Sequence, residues 1–225
     1  MKKKTGKYVL VIILALMTSA SMAGQLQAAY TLNFALDMEY SGGTAPSGTT
    51  PWITATFIDI GTNQVQLSMT ANNLTGNENI KEWYFNFDDS LDLGALSISA
   101  VNTSAVDSVV ITKDMNNLKA DGDGKYDFMF AFSTSGNQFT SGETVVYNLS
   151  TGSGDASSFN FLSSPAGGHG PFYSAAHIQN TGDGTQSGWI ANETSTLVPE
   201  PISSTLFIVG AATLGFRRLR NIRKG

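Results

Sequence analysis

Asp121-Gly122-Asp123-Gly124-Lys125-Tyr126-Asp127 is the stretch of this chain best suited to hold a cation. Calcium loops space carboxylates two residues apart around a glycine at a sharp turn, because Ca²⁺ takes about six to eight oxygen ligands. Asp121, Asp123 and Asp127 match part of that pattern. A third Asp or Asn before the glycine is missing, and the loop position that calls for a bidentate Glu holds Phe132. The same residues also read as a Gly-rich hairpin turn entering the strand Lys125–Phe132, and this is the preferred reading. Asp88, Asp89 and Asp92 form a second acidic cluster with the character of a solvated loop. The two histidines leave little material for a metal or acid–base site. His177 reads as a hydrogen-bonded strand residue, and His169, between Gly168 and Gly170, as a loop residue.

No nucleophile constellation is present. The chain has no Gly-x-Ser-x-Gly elbow, no His-Glu-x-x-His pair and no phosphate-binding glycine loop. It has no cysteine, which excludes a disulfide scaffold, a Cys-ligated zinc site, an iron–sulfur cluster and a thiol nucleophile. No catalytic residue is assigned. Paired carboxylates for glycoside hydrolysis stay open, since their separation is unreadable from sequence. Trp52, Tyr84, Tyr173 and Trp189 could stack on sugar rings, although core positions are the simpler reading.

The elements that must carry these residues are strands. Period-2 alternation recurs along the body. Tyr30, Leu32, Phe34, Leu36 and Met38 share one face. Val65, Leu67 and Met69 share another, as do Trp83, Phe85 and Phe87. Tyr126, Phe128, Phe130 and Phe132 follow the same rule, then Val145, Tyr147 and Leu149. Weaker strands are expected at 52–60, 96–101, 108–112, 158–162, 173–179 and 187–191. Gly-rich turns separate them. One apolar and one polar face per strand implies antiparallel sheets wet on one side. The fold class expected is therefore all-β, an antiparallel β-sandwich of jelly-roll-like type. Residues 41–51 are expected as a mobile loop and 191–199 as a short tether.

Charge is distributed unevenly. The formal net charge is −5, yet between Tyr30 and Val198 four lysines face seventeen acids, a formal −13 without one arginine. Such a body would be repelled by a phosphate backbone, so nucleic acid is excluded as a partner. The cations gather at the two ends. Lys2, Lys3, Lys4 and Lys7 precede the apolar run Tyr8–Met17, and small residues follow up to Ala23. Ten apolar residues make roughly 15 Å of helix, against a bilayer core of about 30 Å. This is the pattern of a secretory signal peptide, residues 1–29, with cleavage after Ala23 or near Ala29. Export without cysteine points to a bacterial source.

The C-terminal end, 198–225, has three parts. Pro199-Glu200-Pro201 is followed by the uncharged, mostly apolar Ile202–Phe216. The basic run Arg217, Arg218, Arg220, Arg223 and Lys224 closes it. A short helix that enters a bilayer with a cationic cytoplasmic stop fits these residues. The three parts in this order resemble the PEP-CTERM sorting signal. That resemblance implies recognition by an integral-membrane exosortase and removal of the tail near Pro199–Pro201. Export through the general secretion machinery, a transient hold in the inner membrane and delivery to the cell surface of an exopolysaccharide-making Gram-negative bacterium follow from it. Ala176-His177-Ile178-Gln179 and Ser187-Gly188-Trp189-Ile190 are also similar to segments in the bodies of such proteins, with no activity attached.

The expectation is thus a passenger domain, 30–197, between two addressing signals, with a helix on each side of it. The leading function is non-enzymatic, structural or adhesive in the exopolysaccharide layer or biofilm. A carbohydrate- or calcium-binding module is the alternative, and a secreted polysaccharide hydrolase the third reading.

Overall fold

The computed structural model describes residues 29–199, and those residues are all-β. Thirteen strands run in chain order. They are β1 Tyr30–Leu36, β2 Met38–Glu39, β3 Ile53–Gly61, β4 Gln64–Ala71, β5 Asn79–Phe85, β6 Ser97–Asn102 and β7 Val109–Ala120. Then come β8 Asp123–Phe132, β9 Phe139–Thr140, β10 Thr144–Ser150, β11 Ser174–Thr181, β12 Gln186–Asn192 and β13 Ser195–Pro199. They form two antiparallel sheets. The first has the order β13-β1-β3-β4-β10-β6, and the second the order β2-β12-β11-β5-β8-β7, with β9 paired to β5. The helices expected on either flank lie outside the described residues.

Alternation explains how the two sheets meet. Leu32, Phe34 and Leu36, Ala55 and Phe57, Val65, Leu67 and Met69, and Val145, Tyr147 and Leu149 turn inward from the first sheet. Trp83, Phe85, Phe128, Phe130 and Ile178 face them from the second. The centre is aromatic. Phe85 meets Phe57 and Phe128, each at 5.4 Å between ring centroids. Phe159, carried by a 3₁₀ turn, stacks on Phe57 at 4.6 Å. Each buried ring contributes roughly 1.5–3 kcal/mol, so a core of this kind can stand without disulfides.

The structure corrects several details. Met38 does not continue the β1 face. The chain leaves the first sheet at Asp37, whose N–H donates to the Ala191 carbonyl, and β2 pairs with β12 of the second sheet. Residues 158–162 do not form a strand; Ser158 and Phe159 complete the 3₁₀ turn Ala156–Phe159, and 160–162 carry no regular structure. Residues 191–199 are no tether either, because β12 extends to Asn192 and β13 then closes the edge beside β1. The loop 41–51 carries no regular structure but is tied at its start. The Glu39 carboxylate accepts from the N–H groups of Ser41, Gly42 and Gly43.

The second sheet is covered over part of its outer side, where a wet face was expected, while outer positions on β7 and β12 stay exposed. Tyr84 and Asn86 in the β5 region are as buried as Trp83 and Phe85. A second apolar cluster of Tyr40, Tyr84, Ala120, Tyr126, Phe172 and Ala175 covers that face. The tip of the β7–β8 hairpin and the segment 161–173 make the cover. Lys125 and Ser164 exchange two backbone hydrogen bonds. The Asn86 amide donates to the carbonyls of Phe161, Phe172 and Tyr173. Tyr126 belongs to this second cluster and not to the face of Phe128, because the β7–β8 ladder is irregular between Lys113 and Leu118.

Candidate functional site

Three adjacent strands place a histidine, a tryptophan and a glutamate in one row on the outer face of the second sheet. His177 on β11 stands opposite Glu82 on β5 and opposite Trp189 on β12. The β11–β12 hairpin turns through Gly182 and Gly184, both with positive φ, and thereby sets that register. The imidazole lies flat on the indole, with centroids 4.6 Å apart and planes 6° from parallel. One diagonal step away, Tyr84 contacts Trp189 and Tyr126, each at 5.7 Å. Its hydroxyl donates to Glu82 Oε2 at 2.9 Å, and Lys81 lies 3.5 Å from the other Glu82 oxygen. Tyr40 extends the group, against Phe172 at 4.7 Å and His169 at 6.1 Å.

The electrostatics follow from burial. Desolvation holds the His177 imidazole below its ordinary value, and Lys81 adds to this, while Glu82 and Asp121 act in the opposite sense. Burial, then the Glu82 charge, push the Tyr84 phenol well above its usual range. His177 Nδ1 is buried and has no hydrogen-bond partner among the described residues. A general base needs a hydrogen-bond path to the proton it takes. The arrangement is a packed aromatic ledge with a tyrosine–carboxylate pair, and it offers no activated nucleophile.

The candidate cation loop is built as the hairpin turn that the sequence favoured. Ala120 pairs with Asp123, leaving Asp121 and Gly122 as a two-residue turn with φ of 52° and 76°. Both central residues of a type I′ turn need positive φ, which Asp-Gly supplies cheaply. Asp127 is used elsewhere. Its carboxylate is buried and accepts from the Phe87 N–H through Oδ2 and from the Asn116 N–H through Oδ1, both at 2.6 Å. It thereby ties the end of β5 to the irregular part of β7, where Asn116 has φ 51°. Desolvation raises its carboxyl above the ordinary value, against the lowering effect of the two N–H groups. Among the described residues, no group of three or more Asp, Glu, His or Cys is arranged to hold a metal ion.

The other candidates are placed as follows. Asp92 caps a 3₁₀ turn by accepting from Gly94 N–H, Asp88 accepts from Ser90 N–H, and Asp89 accepts from the Asn116 amide. Trp52 is buried and donates to the Gly48 carbonyl. Tyr173 stacks on Phe34 at 5.9 Å. Trp189 is half-buried. The ledge residues Glu82, Tyr40 and Phe172 were not singled out from sequence. The spacing of Glu82 and Tyr84 puts them on one strand face, but only the fold brings Tyr40 and Phe172 beside them. Ala29 opens the described region and Pro199 ends β13. Ala23, Glu200, Pro201, Arg217, Arg218, Arg220, Arg223 and Lys224 lie outside the described residues. Among the described residues, no helix is long and apolar enough to cross a membrane. No family model, no curated protein and no solved structure matches this chain.

Proposed function

We propose that this chain is an exported passenger protein, carried by a signal peptide and a PEP-CTERM-like tail, with a structural or adhesive role at the cell surface. The observation that carries this reading is where the body begins and ends. Tyr30 and Pro199 are register partners on neighbouring strands of the first sheet. The first and last residues of the described sheet, Tyr30 and Pro199, therefore lie side by side at one end of the β1–β13 ladder. A cut after Pro199 leaves the β1–β13 ladder complete, whereas loss of all of 198–225 would remove its last two pairs, Thr31–Val198 and Tyr30–Pro199. The packed ledge around His177 supports a non-enzymatic role, because the Tyr84 hydroxyl is held by Glu82 and the imidazole lies stacked on Trp189. The nested pairings β1·β13, β2·β12, β4·β10 and β5·β9 support the jelly-roll-like description of the sandwich.

An exosortase is the proposed processing partner, and the extracellular polymer the proposed destination. Mass spectrometry of the mature protein from producing cells tests this. The expected C-terminus lies near Pro199–Pro201. Recovery of an intact Arg217–Gly225 tail from cells with an active exosortase refutes the sorting reading.

A further inference from the structure

The outer face of the first sheet is a broad surface that the aromatic ledge does not use. Five of its six strands, β1, β4, β6, β10 and β13, contain no charged residue. Asp59, the acid in β3, is spent on the N–H groups of Tyr30 and Ala156. The register aligns hydroxyl and amide side chains across this face. One row runs Asn33–Thr56–Ser68, and a second runs Thr54–Thr70–Thr144. Lateral hydrogen bonds fix them. Thr56 donates to Asn33 Oδ1 at 2.8 Å, and the hydroxyls of Thr70 and Thr144 are 3.0 Å apart. The Gln66 amide donates to Asn148 Oδ1 at 3.2 Å, and the Gln64 amide to Ser150 Oγ at 2.9 Å.

We propose that this face binds a neutral polysaccharide. Charged residues make up 14% of the chain, yet the strands of this six-stranded sheet carry only Asp59, so a nearly uncharged face on a −13 body has a chemical meaning. An anionic polymer would be repelled by the body and would meet no cation on this face. A neutral hydroxyl-rich chain exchanges hydrogen bonds for hydrogen bonds without desolvating an ion. Each amide keeps a second N–H, and each amide oxygen a second lone pair, after its lateral bond. Because those lateral bonds already hold the side chains, little rotamer freedom remains to be lost on binding. Strands about 4.8 Å apart present the rows as a regular, pleated array. The proposal deepens the matrix reading by naming a partner class, and rests on that reading only for the presence of such a polymer.

The test is co-sedimentation of the full-length chain, held in mild detergent, with cellulose particles as the neutral glucan and with alginate-coated beads as the anionic control. Retention on cellulose and not on alginate is expected. A T56E/Q66E double variant is expected to weaken retention at least tenfold, and W189A to leave it unchanged. The melting temperature of each variant is measured first. If T56E/Q66E does not fold, S68K carries the same expectation at a neighbouring position. No retention on cellulose, equal retention on alginate, or loss through W189A alone would overturn the proposal. So would sedimentation showing that the face is occupied by a second copy of the chain and that T56E/Q66E dissociates the dimer. The sorting reading is tested by the mature C-terminus, so the two fail separately.

Discussion

Replacing Asp127 by alanine isolates what a buried carboxylate does when no cation accompanies it. The side chain is buried, and its two oxygens accept from Phe87 N–H and Asn116 N–H at 2.6 Å. Asp127→Ala leaves two backbone donors without their acceptor, at about 1–3 kcal/mol each. Relief of the desolvated charge offsets part of that, for a net loss of about 3 kcal/mol. For a body of this size each kcal/mol is worth roughly 2–4 °C, so the melting temperature should fall by about 6–12 °C. Asp127→Asn keeps one acceptor and should fall less. Differential scanning calorimetry across pH adds a sign test. The folded carboxyl titrates above its unfolded value of 3.8. Its linkage contribution is therefore fully present below that value and is lost as pH rises through the folded one. The gap between wild type and Asp127→Ala should narrow from acid toward neutral pH. An unchanged melting temperature, or a gap that widens toward neutral pH, refutes the account. A rise in melting temperature with added Ca²⁺ that vanishes in Asp127→Ala would assign the carboxylate to a cation instead.

Three further predictions concern the core, the cover and the ledge. Phe85→Ala removes a fully buried ring from the aromatic centre and should cost about 3–5 kcal/mol, read by urea denaturation. Asn86→Ala frees the carbonyls of Phe161, Phe172 and Tyr173; limited proteolysis should then cut within 161–173 faster than in wild type. His177 has a folded value below its unfolded 6.5. Its stabilising contribution is present above 6.5 and is lost as pH falls through the folded value. Wild type should therefore lose stability relative to His177→Gln over that interval, with a change in Trp189 fluorescence that the variant lacks.

Both sheets were legible in the sequence wherever one face of a strand is dry. Leu32, Phe34 and Leu36, or Val65, Leu67 and Met69, alternate because the first sheet has one covered side, and a period of two records that directly. The Asp121-Gly122 turn was legible for a local reason, the positive φ at both positions. The second sheet was less readable. Asn86 looked like the polar side of an alternating strand, yet it is buried with Tyr84 beneath a hairpin tip and a loop from distant parts of the chain. Tyr126 changed clusters because an irregular stretch of β7 interrupts the ladder. Asp127 looked like a cation ligand because its spacing is local, while of its two partners Asn116 stands on the opposite arm of the hairpin and Phe87 is 40 residues away.

What the sequence determined alone is the chain's charge partition and its strand-forming periodicity, both of which are properties of residue order. The cationic ends, the −13 body and the alternating apolar positions are present before any fold exists. The tertiary structure decided which faces meet. It paired Tyr30 with Pro199, stacked His177 on Trp189, spent Asp127 on two backbone donors and gathered the uncharged strands into one sheet. The pairings of Tyr30 with Pro199 and of Asp127 with Phe87 are long-range, and those across the hairpins depend on register. They depend on which edges close on which, and nothing within a short window of sequence carries that information.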